Sequence, residues 1–296
     1  MFHPGEVDVQ RRTGVHADAH GSANTGDTIP EVAQQFLVSQ RMIVVSAEHR
    51  GSLWTTLLAG EPGFIEVPDA STLHINGSLP ELDPLAGAFT TPTEIGMLAI
   101  EPETRRRMRI NGRAHQTDGG LRVHAQQIYA NCPKYLQTRR GDSMGQSAST
   151  TRTEGSFLND AQLAWVGEAD TFFVGTSAPG LGADASHRGG SPGFLDVQPH
   201  RVSWPDYVGN SMYMTFGNLL LDPRASLLFI DWTAGHTLHL SGTAAVDWDQ
   251  DRAARRPGAQ RFVDFDIDHV IQLDHRVALQ WRLEKPSRFN PPARGV

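Results

Sequence analysis

The feature that most limits what this chain can become is a pattern that occurs twice. Gly60-Glu61-Pro62-Gly63-Phe64 returns as Gly190-Ser191-Pro192-Gly193-Phe194, 130 residues later. Around it, Phe172-Phe173-Val174 stands 130 residues after Met42-Ile43-Val44. Leu228 and Ile230 follow Leu98 and Ile100 at the same distance, and Gly242 and Ala244 follow Gly112 and Ala114. A constant offset over so many positions implies two tandem copies of one unit, and the period is too long for a solenoid.

Each copy reads as mainly β with short helices. Met42-Ile43-Val44-Val45-Ser46 and Ile95 to Ile100 are apolar runs bounded by turn residues, as in buried strands. Leu53 to Leu58, Phe64 to Val67 and Leu121 to Tyr129 continue the pattern. Arg105 to Ala114 alternates, with Met108 and Ile110 on one face and Arg107, Arg109 and Asn111 on the other. Residues 30–40 and Asp160 to Glu168 read as short helices, the second capped by Asn159. Val263 to Ile267 and Val277 to Trp281 add closing strands. Short strands between Gly and Pro turns predict a barrel or sandwich. The expected organisation is an N-terminal arm over 1–28, one unit over 29–137, a Ser/Thr/Gly-rich linker over 138–158, and a second unit over 159–296.

The copies differ chemically. Ser186-His187-Arg188 of the second stands where the first has Thr56-Leu57-Leu58. The Arg105, Arg107 and Arg109 face of the first is replaced by Thr237, His239 and Ser241 in the second. Guanidinium groups suit phosphate. If the units pack as a pseudo-dimer, Arg107 and Arg109 of one approach Ser186 and Arg188 of the other.

Net charge is −7 with scattered basic residues, which argues against nucleic acid as a partner. No apolar run approaches the roughly 18 residues of a membrane span, and no signal peptide is visible. With Cys132 as the single cysteine there is no internal disulfide. A cytoplasmic protein is the expectation.

Several motifs are set aside. Gly141-Asp142-Ser143-Met144-Gly145 matches a nucleophile elbow but lacks its strand and helix. Gly180 to Ala185 resembles a dinucleotide fingerprint, yet Gly189, Gly190 and Pro192 forbid the helix it needs. His236 and His239 are three apart on a strand and face opposite sides. His16 and His20 have no helix to align them as ligands, and Cys132 has no assignable partner.

Three stretches carry a family resemblance. They are Thr104-Arg105-Arg106-Arg107-Met108-Arg109-Ile110-Asn111-Gly112, Ser186 to Gly190, and Met212-Tyr213-Met214-Thr215-Phe216-Gly217-Asn218-Leu219 running on to Asp222-Pro223-Arg224-Ala225-Ser226-Leu227-Leu228-Phe229-Ile230. With Asn131-Cys132-Pro133-Lys134-Tyr135 they resemble the pyridoxamine 5'-phosphate oxidase-like, FMN-binding split-barrel superfamily, in particular its tandem two-barrel bacterial members. The resemblance implies two split β-barrels packed as an intrachain pseudo-dimer, with FMN between them. It further implies that Ser186, His187, Arg188, Thr215, Asn218, Arg107 and Arg109 touch the phosphate or ribityl chain, with Asn210 and Trp54 as further contacts. The reaction would be a flavin-dependent oxidation or reduction of a small molecule, with no membrane partner and a homodimer left open. No catalytic acid or base is assignable. The oxidase's substrate clamp and second-strand Lys are missing, so pyridoxamine phosphate itself is not the expected substrate. Haem-degrading or deazaflavin-using chemistry on the same fold, or non-catalytic flavin binding, are the alternatives.

Overall fold

The computed structural model describes residues 2–15, 26–130, 133–142, 149–209, 211–278 and 280–292. His16, His20, Cys132, Ser143 and Asn210 lie outside the described residues.

Two antiparallel sheets carry the chain. The first holds β1 (Met42–His49), β2 (Ser52–Ala59), β3 (Ile65–Asp69), β4 (Thr72–Asn76), β5 (Thr93–Glu101), β6 (Arg106–Thr117) and β7 (Gly120–Ala130), in the order β2-β1-β5-β6-β7-β4-β3. The strands β8 (Thr138–Asp142) and β9 (Thr151–Gly155) come next in the chain. The second sheet holds β10 (Thr171–Ala178), β11 (Gly182–Gly189), β12 (Asp196–Gln198), β13 (Arg201–Tyr207), β14 (Arg224–Ile230), β15 (Thr237–Asp247) and β16 (Ala259–Asp274), in the order β11-β10-β14-β15-β16-β13-β12. The two orders are the same once β1 is matched to β10. These are two tandem split β-barrels packed as an intrachain pseudo-dimer. Short helices accompany them: α1 (Pro4–Arg12), α2 (Glu31–Val38), α3 (Asp160–Glu168), α4 (Met214–Leu221) and α5 (Gln250–Ala254). Asn159 accepts the Gln162 N–H at 3.0 Å as the cap of α3.

The recurring Gly-x-Pro-Gly-Phe segment is the same turn in both barrels. Phe64 N–H donates to the Glu61 carbonyl at 2.9 Å and Phe194 N–H to Ser191 at 3.0 Å. Gly63 and Gly193 take φ of 97° and 80°. Proline second and a left-handed glycine third define a type II turn.

The constant spacing does not hold throughout. Pairing registers match Ile43 with Phe172, 129 residues apart, because Pro179-Gly180-Leu181 replaces the two-residue turn Arg50-Gly51. From β2 to β11 the offset is 130. At the last strand Tyr129 matches Ile271, an offset of 142, because the short β6–β7 turn becomes a longer connection carrying α5. The β-bulge survives, falling at Asn111/Gly112 in one barrel and at Ser241/Gly242 in the other.

The apolar run of β1 serves two cores. Ile43, Val45 and Ala47 point into the first barrel, whereas Met42 and Val44 pack between the barrels with Leu57, Leu98, Phe173 and Leu228. A strand buried on both faces reads as continuous rather than alternating. In the middle of the interface the backbones nearly touch. A Cβ on Gly96 would lie 2.4 Å from Asp184 Cα, and one on Gly175 would strike the hydroxyls of Ser46, Thr55 and Ser226. Ser46 and Thr55 hydroxyls are 2.5 Å apart, and Thr55 and Ser226 hydroxyls 2.6 Å.

Two expectations need correcting. The N-terminal arm contains α1, which crosses α4 with Gly5 against Gly217. The expected linker contains two paired strands: β8 pairs with β17 (Gln280–Lys285) and β9 with β16. Among the described residues no helix is long and apolar enough to cross a membrane.

Candidate functional site

The β6 strand of the first barrel runs beside β11 of the second, and a cleft open to solvent lies against both. Arg107 and Arg109 reach it from β6, His187 and Arg188 from β11, and Asp206 and Tyr207 from the end of β13. Lys134, Tyr135 and the first turn of α4 complete the wall.

Arg107 Nη1 lies 3.0 Å from His187 Nδ1. A guanidinium only donates, so Nδ1 accepts and the ring proton sits on Nε2. Burial, then the charges of Arg107 and Arg188, push the His187 pKa well below its ordinary value, so the ring is neutral. His187 is 4% exposed, and among the described residues its Nε2–H meets no partner. The Arg188 Nε likewise has no hydrogen-bond acceptor among the described residues, while its guanidinium lies 6.0 Å from the Phe216 ring.

Arg109 is differently placed. Its Nη1 donates to Asp184 Oδ2 at 3.0 Å, and the Tyr129 hydroxyl donates to Asp184 Oδ1 at 3.0 Å. The Asn111 amide adds a third donor at 3.4 Å. Asp184 therefore offsets the Arg109 charge, and the pair ties β6 to β11. Arg105 is not on the strand face but in the preceding turn, at φ 59°. Arg106 points away, over Phe36.

Asp206 is the one carboxylate among the described lining residues. Burial raises its pKa to about 6, against the opposing pull of Arg188 and Arg261. Arg261 Nε stands 3.2 Å from its Oδ2. Set against this carboxylate are Arg107, Lys134 and Arg188, so the cleft holds an excess of positive charge. Aromatic rings flank it: Tyr135 and Tyr207 are 5.3 Å apart, and Tyr213 stacks on Phe216 at 5.9 Å. Tyr135, Ser211 and Tyr213 all take left-handed φ, of 62°, 57° and 59°. Such conformations cost on the order of 1 kcal/mol or more each and persist where the surroundings impose them. Tyr213 caps α4 without a side-chain hydrogen bond, so first-turn N–H groups at the cleft add to its attraction for anions.

The remaining sequence-derived candidates fall in two groups. Thr215 lines the cleft, with Ser186 behind it at 3.3 Å between hydroxyls. Asn218, a turn deeper, donates to Thr176 Oγ1 at 3.0 Å and pins α4 to β10. Trp54 is not at this cleft. It lines a depression on the pseudo-symmetric side with Asp83 and His269, 6.3 Å from the His269 ring. There the positions of His187 and Arg188 are Leu57 and Leu58, and those of Arg107 and Arg109 are Thr237 and His239. His239 Nδ1 donates to the Thr55 carbonyl at 2.8 Å, and Arg276 pairs with the buried Asp83 at 3.1 Å. At that second position His239, Asp83 and Arg276 are engaged in structural contacts. His236 bonds elsewhere, with its Nδ1 accepting the His275 N–H at 2.9 Å. Among the described residues no cluster of three His, Cys, Asp or Glu side chains could hold a metal.

Sequence reasoning missed Asp184, Asp206, Tyr129 and Glu6. Asp184 carried a signal: a carboxylate between Ala183 and Ala185 in a strand needs a buried cation, and Arg109 on an otherwise matched face offered one. Glu6, 1% exposed, reaches this cluster from α1. Burial raises its pKa to about 7, so the folded state favours the protonated acid. Its stabilising protonation is complete below the unfolded-chain value and is lost as pH rises through about 7. Glu6→Gln is therefore expected to stabilise the protein at pH 8 by about 2 kcal/mol and to flatten the stability profile between pH 5 and 8, measured by urea unfolding.

No family model matches the sequence, and no curated protein matches it. Among solved structures, the chain is similar to a Lactobacillus delbrueckii protein named as a putative pyridoxamine 5'-phosphate oxidase, at 18% identity and a TM-score of 0.31, covering 39% of this chain and 94% of that one. It is also similar to an FAD-binding protein of Mesorhizobium loti at 10% identity and TM-score 0.30, covering 42% of this chain and 97% of that one. A third is the FAD binding protein of Mycobacterium smegmatis, at 11% identity and TM-score 0.29, covering 40% and 98%.

Proposed function

We propose that the cleft binds FMN and that the protein is a flavin-dependent oxidoreductase acting on a small molecule, its two barrels descending from one duplicated unit. The supporting observation is the meeting of Arg107 from one barrel with His187 and Arg188 from the other beside a cluster of aromatic rings. The unpartnered Nε2–H of His187 and Nε of Arg188 fit the acceptor oxygens of a terminal phosphate. Lys134 and Arg107 add charge, and the tyrosine rings suit a flat ring system. Bound flavin would supply the electron-transfer chemistry. The protein's residues hold the phosphate, orient the ring and limit water.

The tautomer of His187 bears on haem as an alternative. With Nδ1 engaged by Arg107 and the proton on Nε2, the neutral ring has no lone pair for iron.

Purified protein is expected to bind added FMN with a flavin absorbance shift and fluorescence quenching, and to bind riboflavin more weakly. Arg188→Ala should weaken FMN by about 1.5–3 kcal/mol, through loss of a charged hydrogen bond, and leave riboflavin affinity almost unchanged. Equal losses for both ligands would place the phosphate elsewhere.

A further inference from the structure

Asp206 is out of place in a cleft built for an anion. It lines the same space as Arg188, and Arg261 stands beside it at 3.2 Å across the β13–β16 pairing. Arg261 is itself buried, its guanidinium 4.9 Å from the Trp248 ring and 5.3 Å from that of Tyr213, so it cannot swing out to follow a ligand. The other titratable or charged groups facing this space are Lys134 and Tyr135 ahead of β8, Tyr207 on Asp206's own strand, and Tyr213 ahead of α4. Arg107, Arg109 and His187 lie on the β6 and β11 side.

We propose that a dianionic ligand and one proton on the Asp206 carboxylate enter this cleft together. The proposal rests on the reading of the cleft as a phosphate site. In the free protein burial raises the Asp206 pKa, and the opposing pull of Arg188 and Arg261 limits the rise to about 6, so the carboxylate is mainly ionised at neutral pH. A phosphate on Arg188 brings two negative charges beside a half-buried carboxylate and cancels the field that kept it ionised. Repulsion between like charges at such close quarters is relieved when the carboxylate takes a proton from solvent. Asp206 then donates one hydrogen bond instead of opposing the ligand. The sign follows from linkage. Between the free value and the higher value in the complex, binding takes up protons, so affinity falls as pH rises.

FMN affinity, read by fluorescence quenching from pH 7 to 9, tests this, because the ligand phosphate (second pKa about 6) stays essentially dianionic over that range. The wild-type protein is expected to bind about tenfold more weakly at pH 8 than at pH 7. Asp206→Asn should remove that slope and bind at least tenfold more tightly than wild type at pH 9. Asp206→Glu should keep the slope. The wild-type protein also answers alone: calorimetry at pH 7.5 in two buffers of different ionisation enthalpy should show net proton uptake with FMN and none with riboflavin. A pH-independent affinity, or no uptake, overturns the role of Asp206 while leaving FMN binding intact. Failure of FMN to bind at any pH overturns both.

Discussion

Arg109→Met is expected to destabilise the protein by about 3–5 kcal/mol, the scale seen when one partner of a buried ion pair is removed. Asp184, with its side chain 1% exposed, would keep two neutral donors, Tyr129 and Asn111, but lose its ion-pair partner. Methionine approximates the volume of the arginine stem, so the loss reports the stranded carboxylate rather than a cavity. Urea unfolding at pH 7 measures it. The double variant Arg109→Met with Asp184→Asn should recover most of the loss, because the remaining amide needs no counter-charge. A loss under 1 kcal/mol in the single variant would mean that water reaches Asp184.

Gly96→Ala should be nearly as damaging, by about 3 kcal/mol or more, which is the upper end for overpacking. Its new methyl carbon would lie 2.4–2.5 Å from the N, Cα and C atoms of Asp184. These are backbone atoms of the opposite barrel, held in β11 by its pairing with β10, and no side chain can rotate away. The barrels must part. Because Arg107 stands on one side of that seam and His187 on the other, FMN affinity should fall at least tenfold along with thermal stability. Gly119→Ala is the control: nothing lies within 4 Å of its added carbon, so neither measurement should move. Equal behaviour of the two variants would show that the seam tolerates separation.

Much of this architecture is legible in the sequence because it is local. The Gly-x-Pro-Gly-Phe turn dictates its own conformation, and the run Met42 to Ala47 declares a strand buried on two sides. Insertions are less legible: the 142-residue offset at β16 arises in a surface connection, where added residues cost little. Local signals for α1 are present, with Pro4 and Glu6 in its first turn and Arg11 and Arg12 in its last, but a nine-residue helix is marginal alone and the contact of Gly5 with Gly217 helps hold it. The strand β8 reads as a linker until β17 arrives from more than a hundred residues away. At the cleft, His187 and Arg188 stand out because their counterparts are leucines. Asp206 and Glu6 do not, because their environments are assembled only by distant strands and by α1.

Carrying both walls of the cleft on one polypeptide removes concentration from its assembly. A site shared between separate subunits empties when dilution splits the dimer. Here the two halves remain at a high local concentration fixed by the connecting chain, however little protein is present. Each half is also free to change alone, since a substitution beside Arg107 is not copied onto the facing strand. The two pseudo-equivalent positions differ accordingly: one carries leucines and a structural ion pair, while the other gathers cations.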